Sequence, residues 1–398
     1  MPDRGIRDRW IRSEREAAIA ARSDRLAALF AQRAPKHDAE GSFPFENFAD
    51  LQAAGYLALT VPEEYGGEEA SLYELVLAQE RLARGDGSTA LAVGWHLGQL
   101  FQLRGTGAWP EGLYASMCRE VAENGALINH LATEPSTGSP SRGGKPATTA
   151  CRTDGGWVLS GRKTFSTLSP ILEHFTVSAS VSGTDDTGVF FVRRGPGVRV
   201  EETWNTLGMR ATGSHDVVLD RVFVPEQEVI RLSHQAAMGP PGDTGWLLHI
   251  PACYIGIAWA ARDFALDYAL HHRPNSLSGP ISDLPHIRRQ IGDMETEWMK
   301  ARTLLYSAAG RWDEAPDLRP LLKGELGLAK ITAVNSAIRI VDLAMRIVGG
   351  ASLSRSCPLE RLYRDVRAGL HNPPMEDAVI EDLAGQALAG REAREMVE

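Results

Sequence analysis

The sequence predicts a mainly helical chain of the α+β class, in which a central β domain separates an N-terminal helical domain from a C-terminal helical bundle. Three observations predict it. From Ala17 to about Val121 the chain is rich in Ala, Leu, Glu and Arg, with helix-length stretches divided by turn signals at Gly66-Gly67, Gly85-Asp86-Gly87 and Trp109-Pro110. From about Leu127 to Leu232 short runs of Val, Thr, Ser and Gly take over. After Met238-Gly-Pro-Pro-Gly-Asp243 the helical composition returns. The expected domains are therefore residues 1–125, 126–235 and 236–398.

Each block has its own signal. The opening stretch Arg4 to Arg33 is Arg-rich but also carries Asp8, Glu14, Glu16 and Asp24, whereas organelle-targeting peptides are poor in acids, so it reads as a first helix. In Phe175-Thr-Val-Ser-Ala-Ser-Val181 apolar and small polar residues alternate, which predicts a half-buried strand of an antiparallel sheet, sandwich or barrel. Ile331, Val334, Ile338, Val341, Met345 and Val348 recur at spacings of three and four, an apolar stripe on one helix face that stops at Gly349-Gly350.

With 43% apolar and 23% charged residues over 398 positions, the chain can bury continuous cores without disulfides or structural metals. Its four cysteines, Cys118, Cys151, Cys253 and Cys357, form no CxxC pair and suit a reducing cytoplasm. A net charge of -9 argues against nucleic acid as the main partner. No apolar run is long enough to span a bilayer, so a cytoplasmic protein is expected. There is no GxGxxG, GxxxxGK[ST], HExxH or GxSxG, which removes the Rossmann, P-loop, zincin and serine-hydrolase signals. The pair His271-His272 lacks a carboxylate at ligand spacing, and no metal is expected.

Three further stretches together resemble the acyl-CoA dehydrogenase superfamily. They are Leu59-Thr-Val-Pro-Glu-Glu-Tyr-Gly-Gly67; Ala132-Thr-Glu-Pro-Ser-Thr-Gly-Ser139 with Gly161-Arg-Lys-Thr-Phe-Ser-Thr167, Leu207-Gly-Met-Arg-Ala-Thr-Gly-Ser214 and Val222-Phe-Val-Pro225; and Val348-Gly-Gly350 with Pro358-Leu-Glu-Arg-Leu-Tyr-Arg-Asp365. The resemblance implies a C-terminal four-helix bundle, a homotetramer, and FAD held near Thr133, Ser139, Phe165 and Thr167. Hydroxyls there can bond the flavin edge and phosphates while Phe165 lies against the ring plane. It also places Arg273 on the FAD pyrophosphate, usually of a neighbouring subunit, and Gly350 where a partner backbone or the adenosine end approaches. Ser276 stands where the family usually has an aromatic residue, and Pro285 where it has a glutamine.

The catalytic glutamate of the family has no counterpart at its usual places. Leu370-His-Asn-Pro-Pro-Met-Glu-Asp377 puts Pro373 at the matching position, and Trp246 to Gly256 holds no carboxylate. Glu376 or Asp377 could supply the base, or could complement the dipole of a new helix. His371 could instead act as an acid or base in oxygen chemistry, since the family's monooxygenase branch resembles this chain in its Leu-His-Asx-Pro, or could make a structural bond at a turn. The leading implied function is an FAD-dependent acyl-CoA dehydrogenase passing electrons to an electron-transfer flavoprotein; the alternative is a monooxygenase served by a flavin reductase, and a non-catalytic flavin or acyl-thioester binding module comes third. Trp157, Trp259, Trp298 and Trp312 read as core or interface, and Arg346, Arg361, Arg364 and Arg367 as ion-pairing residues or a phosphate cluster.

Overall fold

The computed structural model describes residues 8–104, 109–137, 144–233 and 244–395. Its helices are, in chain order, α1 (Glu14–Glu40), α2 (Phe45–Ala53), α3 (Leu72–Gly85), α4 (Gly87–Leu103), α5 (Glu111–Asn124), α6 (His249–His271), α7 (Pro285–Glu314), α8 (Lys323–Val348), α9 (Pro358–Val366) and α10 (Glu376–Glu395). Between α5 and α6 come β1 (Ile128–Leu131), β2 (Thr149–Thr153), β3 (Gly156–Lys163), β4 (His174–Val181), β5 (Thr187–Arg193), β6 (Val198–Glu201), β7 (Asp216–Pro225) and β8 (Val229–Ser233). The order is helices, sheet, helices, as expected; the loop at 238–243 lies outside the described residues. The first helix begins at Glu14, because Ser13 Oγ accepts the Glu16 amide at 3.1 Å and Glu14 and Glu16 sit at its electropositive end.

Packing divides the chain into two compact units, each built from separate stretches. Residues 36–71 and 88–241 form the sheet unit, with strand order β6-β7-β3-β2-β4-β5-β8 and β1 beside β4. Most pairings are antiparallel, but β1 and part of β2 run parallel to β4. Central placement overturns the half-buried reading of Phe175 to Val181: residues 174–179 are buried on both faces. The small polar residues of the second face meet an internal polar network in place of water. Thr176 Oγ1 lies 2.7 Å from His130 Nδ1 and Ser178 Oγ 3.2 Å from its Nε2, while Lys163 Nζ donates to the Ser178 carbonyl at 2.7 Å. Lys163, itself inaccessible to solvent, is neutralised by Glu134 at 2.6 Å.

Residues 1–35, 72–87 and 242–398 form the helical unit. Here α3 is buried around almost its whole circumference, charged residues included, so each charge must find a partner inside. Glu80 takes Arg302 at 2.7 Å and the Tyr306 hydroxyl, Arg81 takes Asp8 and Asp24 at 2.6 Å each, and Glu74 takes Arg15 at 2.8 Å. Gly256 lets α6 meet α3 closely: a Cβ there would stand 2.2 Å from the Glu80 carbonyl oxygen.

On α8, Val334, Val341 and Val348 are buried as the stripe requires, while Ile331, Ile338 and Met345 are half-buried. The buried arc instead widens through Ala333, Ala337, Ile340, Ala344 and Ile347, because α8 packs against both α6 and α7. Gly349, at φ +74°, ends the helix. Trp157, Trp298 and Trp312 are core residues, and the Trp259 ring lies tilted against Trp298 at 5.6 Å. The arginine group resolves into local pairs, Arg346 with Asp342, Arg364 with Glu360 and Arg361 with Asp365, while Arg367 covers the Tyr363 ring. His271 bonds the Asp267 carbonyl and His272 stacks on Tyr268. Among the described residues no group of His, Cys, Asp and Glu could hold a metal ion, the cysteines are free, and no helix is long and apolar enough to cross a membrane.

Candidate functional site

In the sheet unit, β3 ends in a turn that is pinned at four backbone bonds. Thr164 N donates to the Thr133 carbonyl at 2.9 Å, Ser166 N to His215 at 3.2 Å, Thr167 N to Phe165 at 2.9 Å and Leu168 N to Thr212 at 3.2 Å. Within it Phe165 and Leu168 are held at φ +53° and +69°, a region that costs a non-glycine residue roughly 1–3 kcal/mol and persists only where its surroundings over-determine it. The consequence is an aromatic ring aimed outward: Phe165 is 62% exposed, supported edge-on by Trp204 at 5.5 Å. An exposed ring on a fixed backbone offers a flat ligand a platform at little ordering cost. Beside it, the Thr167 hydroxyl is buried and engaged with Ser214 at 2.8 Å, so a ligand would share it with that partner. Thr133 is half-buried; Ser139 lies outside the described residues.

The other candidate contacts belong to the helical unit. Arg273 follows the end of α6, is exposed, and makes no ion pair or hydrogen bond among the described residues. Gly350 is the second residue of the 3-10 turn Gly349–Leu353 after α8, and a Cβ there would meet no described atom within 4 Å, so the packing of the described residues does not demand glycine.

The segment after α9 runs through a 3-10 turn, Arg367–His371, to Asn372. Tyr254 of α6, fully buried, donates its hydroxyl to Asn372 Oδ1. Burial pushes this phenol well above its ordinary value, with Cys253 and Asp365 adding to the effect, so it remains a donor. The ring fits beneath the turn because position 369 is glycine; a Cβ there would come within 3.0 Å of it. Tethered in this way, the turn leaves His371 exposed, its imidazole without a hydrogen bond to any described residue. Glu376 and Asp377 occupy the first turn of α10, where carboxylates complement the helix dipole. The Glu376 carboxylate accepts from Asn335 Nδ2 at 3.4 Å. In the stretch Trp246 to Gly256, His249 stacks on Trp246, and burial pushes its imidazole down to about 3, leaving it neutral near pH 7. Sequence reading alone missed Trp204, Ser214, Tyr254 and Asn372; their roles come from contacts distant in the chain, and only Ser214 and Asn372 stood inside motifs.

Within the sheet unit, an outward aromatic platform with hydroxyls beside it has the chemistry a flavin ring needs. Comparison with known proteins agrees over nearly the whole chain. Family models for the N-terminal, middle and C-terminal domains of acyl-CoA dehydrogenase match residues 13–108, 130–222 and 248–370. The chain is 48% identical to the putative acyl-CoA dehydrogenase YdbM of Bacillus subtilis over 95% of its length and 98% of the relative's. It is 32% identical to L-evernosamine nitrososynthase of a Micromonospora species over 96% of the chain and 94% of that protein. Among solved structures it resembles KijD3 in complex with FMN and an amino-keto dTDP-sugar, with a TM-score of 0.83, 28% identity, and coverage of 95% and 94%. Butyryl-CoA dehydrogenase of Megasphaera elsdenii shares the fold at a TM-score of 0.83 and 21% identity, covering 95% and 99%. The chain is therefore a member of the acyl-CoA dehydrogenase family, a flavoprotein oxidoreductase whose family cofactor is FAD.

Proposed function

We propose that this flavoprotein is a monooxygenase, which takes reduced flavin from a separate reductase, transfers one oxygen atom of O2 to a small-molecule substrate and releases the other as water, the reduced flavin supplying the two electrons. One observation carries the reading: the segment where the family keeps its carboxylate base presents an imidazole, His371, that bonds no described residue, on a turn fixed by Tyr254 and Asn372. Bound flavin, once reduced, would supply the electrons that activate O2. The chain's own groups do the rest. By the family resemblance, Phe165 would orient the ring, Thr133, Ser139 and Thr167 would offer bonds to its polar edge, Arg273 would neutralise phosphate, and Gly350 would leave room. His371 moves a proton to or from the substrate, a role suited to imidazole. The nitrososynthase relatives support the reading by their names.

A second reading is favoured by Glu376, which stands beyond the proline pair, and by the name of the relative at 48% identity. It makes the protein an FAD-dependent acyl-CoA dehydrogenase with Glu376 as base and an electron-transfer flavoprotein as acceptor. In either case we infer a cytoplasmic homotetramer.

Anaerobic titration of the oxidised, flavin-loaded protein with a panel of acyl-CoA thioesters separates the two. The monooxygenase reading expects no bleaching of the visible flavin band, together with substrate-dependent oxygen uptake when reduced flavin is supplied. Bleaching by any thioester, lost in Glu376→Gln and retained in His371→Asn, would refute it in favour of dehydrogenation.

A further inference from the structure

Within the helical unit a recess opens between α8, α10 and the 3-10 turn Gly245–Leu248. Its walls are aliphatic, formed by Leu247, Leu248, Leu326, Pro374 and Val379, and its volume is about 60 Å³, room for only a few water-sized groups. Two glycines of α8 set α10 close: a Cβ at Gly327 would stand 2.6 Å from Val379 Cγ1, and one at Gly324 2.9 Å from Leu383 Cδ2.

Lys330 also lines this recess. It is 2% exposed, yet forms no hydrogen bond or ion pair with any described residue. Burial pushes its amine below the ordinary value while Glu376 pushes back, but the Glu376 carboxylate is held by Asn335. At the rim Lys323 and Asp382 neutralise each other at 2.6 Å. The base of the recess therefore carries an ammonium that no described residue meets in a hydrogen bond or ion pair, with Glu376 acting on it only at a distance, and such a buried charge is costly unless an anion joins it.

We propose that the recess binds a small aliphatic carboxylate, with its charged end on Lys330 and its alkyl end against the leucines. A monoanion matches the single ammonium, while a dianion such as inorganic phosphate would leave charge uncompensated among apolar walls. The inference stands apart from the choice between dehydrogenase and monooxygenase. It nevertheless bears on the site, because Pro374 in the wall belongs to the segment that presents His371.

Isothermal titration of the flavin-loaded protein with propionate tests it. Propionate is expected to bind, with affinity falling at least about tenfold in Lys330→Met, the loss of a charge-assisted bond, and unchanged in Lys300→Met, an exposed lysine elsewhere on the unit. A second measurement needs no variant: propionate should slow acetylation of Lys330 by acetic anhydride, read by peptide mass spectrometry, relative to the other lysines. Absence of propionate binding, equal affinity in Lys330→Met, or, should that variant not fold, unslowed acetylation of Lys330 would each overturn the proposal.

Discussion

Replacing Lys163 by methionine removes one charge from a pair sealed inside the sheet unit. Lys163 is 0% exposed and Glu134 2%. Methionine keeps most of the apolar stem, so the perturbation is electrostatic. It leaves the Glu134 carboxylate with donors from Thr148 N at 3.0 Å, Thr137 Oγ1 at 3.0 Å and Ala147 N only, and strips the Ser178 carbonyl of its lysine. Stranding one member of a buried pair costs about 3–5 kcal/mol. Glu134→Gln strands the ammonium instead and costs a similar amount, whereas the double variant removes both charges, so its loss should fall below the sum by at least about 1 kcal/mol. Urea unfolding followed by tryptophan fluorescence measures all three, Trp157 and Trp204 lying in the same unit. The pH dependence has a fixed sign. Burial alone would raise the Glu134 carboxyl, but the hydrogen bonds from Lys163 and Thr148 bring it down to about 2. Its folded value thus lies below the unfolded value of about 4.3, so the stabilisation is present above that pH and is lost as pH falls toward 2. The Glu134→Gln protein should lack this part of the acid transition. Additivity of the two single variants within about 0.3–0.5 kcal/mol, with an unchanged acid profile, would refute the coupling.

Two further outcomes follow from the geometry. Gly256→Ala gains about 1 kcal/mol of helix propensity but drives a methyl to 2.2 Å from the Glu80 carbonyl oxygen, so α3 and α6 must separate; a net loss of about 1–2 kcal/mol is expected in thermal unfolding. Phe165→Ala removes the exposed platform without touching the core, and should weaken flavin binding about tenfold in a fluorescence titration while leaving the unfolding midpoint nearly unchanged.

Much of the architecture was legible in the chain. Shifts between Ala-Leu-Glu-Arg and Val-Thr-Ser-Gly composition reflect local conformational preference, so the helix, sheet and helix blocks could be read directly. The family was legible because its motifs sit at turns, where backbone geometry restricts the residue locally. Empty base positions at Pro373 and along Trp246–Gly256 were likewise plain, since a residue type is a property of the sequence itself.

Tertiary structure decided what depends on neighbours remote in the chain. The alternation in β4 marked an internal polar face and not solvent, because three strands surround it and His130 and Lys163 answer its hydroxyls and carbonyl. The stripe on α8 understated its buried arc, because two helices cover it. That Phe165 points outward, that Tyr254 tethers the His371 turn, and that Lys330 is buried with no hydrogen bond or ion pair among the described residues are likewise matters of packing. Periodicity reports which face of an element is apolar, whereas the identity of the partner on that face is set by the long-range fold.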